Sequence, residues 1–167
     1  MAKKVFGMEY VPAYNGDSDG LVQEFEEGSA QTFGAGSPVI LSSGQVVQAV
    51  ALNAVLGNVV LVGFALRAAS GVQGTRLPVR IARPNDVYIV KMESDDTFAA
   101  ADVELVGFEL KRTSTGDVVV DKDTVSNPKV LILGTEEVNA DGTKTPTAGG
   151  VVRVKIRNVA ANIYGAV

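Results

Sequence analysis

The stretch Val152-Arg153-Val154-Lys155-Ile156-Arg157 carries the clearest structural signal in the chain. Apolar and basic side chains alternate along it, and successive side chains of a β-strand point to opposite faces of a sheet. The stretch therefore predicts a strand with one face in an apolar core and a basic face turned outward. Residues 77–81 alternate in the same way, and Pro78 within them predicts a strand at a sheet edge.

Short runs rich in Val, Ile and Leu recur along the rest of the chain, separated by clusters of Gly, Asn, Asp and Pro. None of these runs has a helical period with a cap at both ends, and the nearest, residues 97–103, is only about two turns long. Roughly eight to eleven short strands joined by turns predict an all-β barrel or sandwich. The predicted fold is a small all-β body of two halves with an extended N-terminal arm.

A resemblance within the chain bears on how this body is divided. Residues 61–71 begin Leu-Val-Gly-Phe-Ala-Leu and residues 105–116 begin Leu-Val-Gly-Phe-Glu-Leu. Short strand patterns match by chance, and the same match also fits two similar β halves that meet near residue 97. The predicted organisation is an arm at 1–27, a β-barrel or sandwich at 28–97 and a second β half at 98–167 packed on the first.

The 167 residues include no His and no Cys. The chain therefore cannot form a Ser-His-Asp triad, a Cys-His nucleophile, an ordinary zinc site or a disulfide. Neighbouring carboxylates occur at 95–96, at 121 with 123, and at 136–137. Because these pairs lie beside turn residues, we expect exposed loop charge rather than a hydrolase centre. We predict that the protein is not an enzyme and carries no cofactor.

The net charge of −4 lies in residues 1–27, which hold two basic and six acidic side chains. The remaining residues balance in charge and contain no basic block, so nucleic acid is not an expected partner. The most apolar window, residues 49–66, is interrupted by Asn and Gly, and no membrane-spanning helix is expected there. The first residues lack the apolar run of a signal peptide.

Apolar and aromatic side chains are dense in this acidic N-terminal segment, which is too short to form a core of its own. We predict an extended arm whose side chains anchor on a neighbouring subunit. The anchors are Val5, Phe6, Met8, Tyr10 and Tyr14. A first strand folded onto the chain's own body is the alternative interpretation.

Two further groups of charged residues are candidate binding sites. Asn15, Asp17, Asp19 and Glu26 match the spacing of oxygen ligands in a calcium loop. A solvated acidic turn is the alternative, because Asn, Gly, Asp and Ser are ordinary turn residues. The second group consists of Arg153, Lys155 and Arg157, which form either a solvent face or a docking stripe for an acidic partner.

The order of several short motifs resembles that of the head-decoration, or cement, proteins of tailed double-stranded DNA bacteriophages. The motifs extend over most of residues 29–157 and do not include the acidic N-terminal segment. They are Phe33-Gly34-Ala35-Gly36, Pro38-Val39, Ser43-Gly44-Gln45-Val46-Val47, Val62-Gly63-Phe64-Ala65, Leu77-Pro78-Val79, Tyr88 and, more loosely, Val106-Gly107, Val119-Val120-Asp121 and Val152-Arg153-Val154.

This resemblance implies a structural protein of the virion that is made in the host cytoplasm and binds the outer capsid surface. Its partners would be the major capsid protein and further copies of itself, usually in a homotrimer at threefold or local threefold positions. Its role would be to cement neighbouring capsid subunits. The second interpretation is a β-sandwich module that binds carbohydrate or a host surface, with calcium at residues 15–26.

Overall fold

The structure, a computed structural model, describes residues 8–10, 20–49, 54–55, 61–84, 86–103, 107–123, 128–136 and 147–157. Within these ranges the regular structure is all-β apart from one short 3-10 turn, which confirms the predicted class. The described ranges include no helix long and apolar enough to cross a membrane. The strands are β1 (Glu9–Tyr10), β2 (Val22–Glu26), β3 (Pro38–Ser42), β4 (Gln45–Gln48), β5 (Ala54–Val55), β6 (Gly63–Ala65), β7 (Arg76–Ile81), β8 (Val87–Met92), β9 (Gly107–Arg112), β10 (Val118–Asp121), β11 (Val130–Thr135) and β12 (Val151–Ile156), and the 3-10 turn is Ala100–Asp102.

Strands β8 to β12 close into a small barrel, which we call the second unit. Each strand pairs with two others in the cyclic order β8, β10, β9, β11, β12 and back to β8. The pairing of β8 with β10 is parallel, and the others are antiparallel. The two-residue strands β1 and β5 add to the same sheet beside β8 and β9.

Strands β2, β3, β4, β6 and β7 form a separate sheet, which we call the first unit. Its order is β2, β7, β6, β3, β4, with every neighbouring pair antiparallel. The two ends of the sheet meet at a parallel bridge between Glu27 and Val46. Beside this bridge the Gly28 amide donates to the Val46 carbonyl at 2.8 Å.

The two units share one strand topology. Each unit begins with a single strand, β2 or β8, which is followed by two hairpins. This first strand pairs antiparallel with the last strand of its unit, β7 or β12. On its other side it pairs parallel with the second strand of the first hairpin, β4 or β10. Strands β2, β3, β4, β6 and β7 therefore correspond to β8, β9, β10, β11 and β12 in chain order. The described chain is a tandem of two copies of one five-stranded motif.

Backbone hydrogen bonds define this correspondence residue by residue. Four backbone N–H to C=O hydrogen bonds of the first unit have a counterpart in the second. In the first unit they run from Glu27 to Thr75, Gly28 to Val46, Ile81 to Leu21 and Val62 to Val39. In the same order, their counterparts run from Met92 to Gly150, Glu93 to Val120, Ile156 to Asp86 and Lys129 to Phe108. The ladders have the same register, since Val79 faces Gln23 and Ala65, while Val154 faces Tyr88 and Ile132.

The Leu-Val-Gly-Phe match between residues 61–71 and 105–116 does not follow this structural repeat. Gly63 corresponds to Val130, whereas that resemblance pairs it with Gly107. Residues 22–33 and 87–98 instead align without a gap and share Val, Ser, Thr and Phe at the same positions. The shared pattern is sparse because a half-buried strand requires apolar character at alternate positions and leaves the side-chain type open.

Three expectations about strand placement differ from the structure. The units meet between Ile81 and Val87 rather than near residue 97, because β8 pairs with strands of the second unit. Strand β2, expected within the arm, pairs with β7 in the first unit. The edge position predicted from Pro78 is wrong, since β7 lies between β2 and β6. Proline is accommodated there because it lies at the end of β6: the Leu66 amide donates to the Pro78 carbonyl at 2.9 Å, and only the return bond, which would need an N–H at Pro78, is lost.

Each unit contains an apolar cluster formed by the inward positions of its strands. Phe33 and Val79 belong to the first cluster, and Leu110 and Val154 belong to the second. Phe64 projects from the first unit into the second cluster, where its ring centroid lies 4.9 Å from that of Tyr88. This contact makes the interface between the units part of the core.

Candidate functional site

Three carboxylates of the second unit come together where its parallel strands end. Glu93 follows β8, Asp121 ends β10, and Asp96 lies in the connection after Glu93. Their carboxylate oxygens all lie within 4.8 Å of one another. The parallel pairing of β8 with β10 produces this arrangement, because it places the carboxyl ends of both strands at one end of the barrel.

Protein donors already occupy much of this carboxylate cluster. The Lys111 ammonium contacts Glu93 and lies 4.0 Å from Asp121 Oδ2. The hydrogen bond to Glu93 is the main reason that the Lys111 pKa is raised. The Lys122 amide donates to Asp96 at 2.8 Å, and the Asp123 amide donates to Asp121 at 2.9 Å. The cluster therefore acts as an internal ionic network of the barrel.

Asp121 differs from the exposed loop carboxylate expected from sequence. Its side chain is buried, because it ends a strand whose two faces are both covered. Asp96 is half-buried, and burial, followed by the nearby Asp123 and Asp95 charges, raises its pKa. Asp95 itself is exposed, as predicted.

A groove of about 510 Å³ lies beside the network. Its walls come from the end of β8, the β9 to β10 turn and the residues before β12. They are Lys91, Met92, Glu93, Ser94, Thr113, Ser114, Thr115, Asp117, Val119, Ala148 and Gly149. Hydroxyl and charged groups dominate, and this described lining contains no aromatic ring on which a sugar could stack.

The structure places the described part of the predicted arm on the chain's own body. Met8 is 6% exposed and belongs to the apolar cluster of the second unit. Tyr10 lies in β1, which pairs with β8. Met8 is therefore a core residue of its own chain, as in the alternative interpretation, and does not present a free surface to another subunit. Val5, Phe6 and Tyr14 lie outside the described residues.

The calcium-loop candidates are only partly described. Asn15, Asp17 and Asp19 lie outside the described residues, whereas Glu26 ends β2 and faces Arg76 across the ladder. A calcium loop of this spacing continues into a helix at its last ligand. Glu26 instead lies on an extended strand, so the described end of this segment lacks that context.

The basic stripe lies on the outer face of β12 and just beyond it, as the alternation predicts. Arg153 and Lys155 are half-buried strand residues, and Arg157 follows the strand. The Arg153 guanidinium pairs with Glu136 at 3.3 Å, and the Arg157 side chain packs beside Gly107. Part of the predicted docking stripe is therefore engaged within the chain.

Sequence reasoning missed a set of exposed apolar residues in the first unit. They are Leu21, Val22, Leu41, Leu66 and Val72. Alternation does not identify them, because an apolar side chain at a strand end or in a turn has the same sequence pattern whether or not another segment covers it. Only the strand arrangement distinguishes the two cases.

Comparison with known proteins adds no family assignment. No family model matches the chain. A search of curated proteins likewise finds no match.

Proposed function

We propose that the protein is a structural virion protein that binds the outer surface of an icosahedral phage capsid and cements neighbouring capsid subunits. The observation that carries this proposal is the uneven distribution of exposed apolar side chains. Five large apolar side chains of the first unit are 37% to 63% exposed. Among the described residues of the second unit, no large apolar side chain is as exposed as these. Exposed apolar residues concentrated in one unit of a rigid body favour a protein-binding surface on that unit.

The other features of the chain support binding rather than catalysis. The carboxylates that lie together are engaged by Lys111 and by backbone amides. A β body whose two units share core contacts provides a fixed shape for docking. A homotrimer would engage several capsid subunits at once and so gain avidity without additional contacts in each copy. The motif order that resembles decoration proteins supports the same assignment.

Cosedimentation with empty capsids, combined with light scattering of the free protein, tests this proposal. We expect a trimer that pellets with the capsids. Leu66→Asp places a charge on the exposed apolar surface of the first unit and should weaken capsid binding at least about 10-fold. Ser114→Asp, at an exposed turn of the second unit, is the matched control and should bind normally. A monomeric protein that stays in the supernatant would contradict the proposal.

A further inference from the structure

The first strand of each unit has one edge that faces away from the last strand of that unit. In the second unit, β1 occupies part of this edge by pairing Glu9 with Ile89 and Tyr10 with Tyr88. Further along the same strand, β10 takes over the pairing. The second unit therefore covers this edge with a strand from the N-terminal part of the chain.

The corresponding edge of the first unit belongs to β2. Residues of an antiparallel ladder direct their backbone groups alternately toward the partner and away from it. The Ile81 amide donates to the Leu21 carbonyl at 2.8 Å, so Leu21 is directed toward β7. The backbone groups of Val22 and Glu24 consequently point away from β7. Among the described residues, no strand pairs with them on that side before the bridge at Glu27.

The apolar side chain at this edge is exposed, whereas its counterpart in the second unit is covered. Val22 is 42% exposed and the corresponding Val87 is 8% exposed. The second unit thus shows how the same motif looks when the edge is occupied.

The charge beside the edge indicates the type of segment that would fit. Glu24 and Glu26 are both exposed on β2; Glu26 faces Arg76 across the ladder, whereas Glu24 faces Pro78 and has no opposite charge directly across from it. An added strand would therefore be favoured by Lys or Arg next to its apolar residues, since opposite charges on neighbouring strands stabilise the pair.

We propose that the edge of β2 at Val22 and Glu24 is a strand-addition site for an extended peptide segment with apolar side chains flanked by Lys or Arg. Backbone hydrogen bonds to Val22 and Glu24 supply the affinity, and contacts with the Val22 side chain and the Glu24 carboxylate supply the selectivity. The site goes beyond capsid binding as such, because it defines the conformation and chemistry of the partner segment.

A labelled peptide, Lys-Lys-Val-Met-Val-Lys-Lys, provides the probe, with fluorescence anisotropy of the full-length protein as the readout. The peptide Glu-Glu-Val-Met-Val-Glu-Glu is its charge-reversed control. Glu24→Pro removes the outward N–H without removing a donor to β7, so the strand should still fold. Glu24→Ala removes the same charge but keeps the N–H. Thermal unfolding verifies that both variants are folded.

We expect the basic peptide to bind and to shift the backbone amide resonances of residues 21–25. Glu24→Pro should weaken binding at least about 10-fold, and Glu24→Ala should weaken it less. The acidic peptide should bind at least about 10-fold more weakly than the basic one. Failure of the basic peptide to bind at millimolar concentration, unchanged binding by Glu24→Pro, or shifts confined to the second unit would overturn the proposal. The capsid experiment can succeed or fail separately.

Discussion

Glu27 and Met92 occupy the same position in the two units, yet their side chains have opposite surroundings. Each residue donates its backbone N–H to the residue just before the last strand of its unit. The Met92 side chain lies in the apolar cluster of the second unit. The fully buried Glu27 carboxylate accepts hydrogen bonds from the Ser70 amide at 2.9 Å, the Ser70 hydroxyl at 3.1 Å and the Gly71 amide at 2.7 Å. It thereby holds the connection between β6 and β7 against the first unit.

Glu27→Ala should therefore destabilise the protein strongly. The change removes the acceptor for two backbone amides, and we expect the free energy of unfolding to fall by about 2–4 kcal/mol. Ser70→Ala removes only the hydroxyl donor and should cost about 0.5–1.5 kcal/mol. Urea unfolding followed by circular dichroism measures both values. Equal stability of Glu27→Ala and the wild type would show that the carboxylate does not hold this connection.

Gly63→Ala should be destabilising although the corresponding residue of the second unit is Val130. A Cβ atom at Gly63 would lie 2.1 Å from the Arg80 carbonyl oxygen, so the backbone of β7 would have to move. We expect a loss of about 2–4 kcal/mol. Gly34→Ala is the control, because no atom lies within 4 Å of its added Cβ. Chemical denaturation should separate the two variants, and a neutral Gly63→Ala would contradict the close approach of β6 to β7.

Phe64→Ala should weaken the coupling between the units as well as lower stability. The ring is 2% exposed and belongs to the second cluster although it comes from the first unit. Loss of a buried Phe side chain costs about 3–5 kcal/mol. In scanning calorimetry we expect the single transition of the wild type to broaden or split. Val79→Ala, inside the first cluster, should lower the melting temperature and retain one transition. A single sharp transition for Phe64→Ala would argue against coupling through this ring.

Asp96→Asn should raise stability at neutral pH. Burial, then the nearby acidic charges, raises the pKa of Asp96 in the folded state, so its favourable contribution is complete below the unfolded pKa and is lost as the pH rises through the folded value. Asparagine keeps an oxygen to accept from the Lys122 amide and removes the charge. We expect a melting temperature about 1–3 °C above wild type at pH 7. The difference should shrink toward pH 3.5, and a difference that grows on acidification would refute the assignment.

The sequence predicted which segments form strands better than it predicted which residues pack against them. Alternation located β12, with its apolar positions inward and its basic positions outward, as the structure confirms. It did not locate the covered Asp121, because the burial of that carboxylate depends on the connection containing Asp96 and on Lys111. It also left the placement of Met8 open, since an apolar side chain can anchor on another subunit or on its own barrel with the same local pattern.

The amino-acid sequence by itself determined the all-β class and the lack of His and Cys chemistry, because both follow from residue type and local period. The tertiary structure alone decided that the described chain repeats one five-stranded motif, that β1 covers part of the edge of β8, and that Val22 remains exposed at the corresponding edge of β2. The physical reason is that strand pairing joins residues far apart in the chain. An edge is covered or open according to which distant segment reaches it, and no local pattern records that outcome.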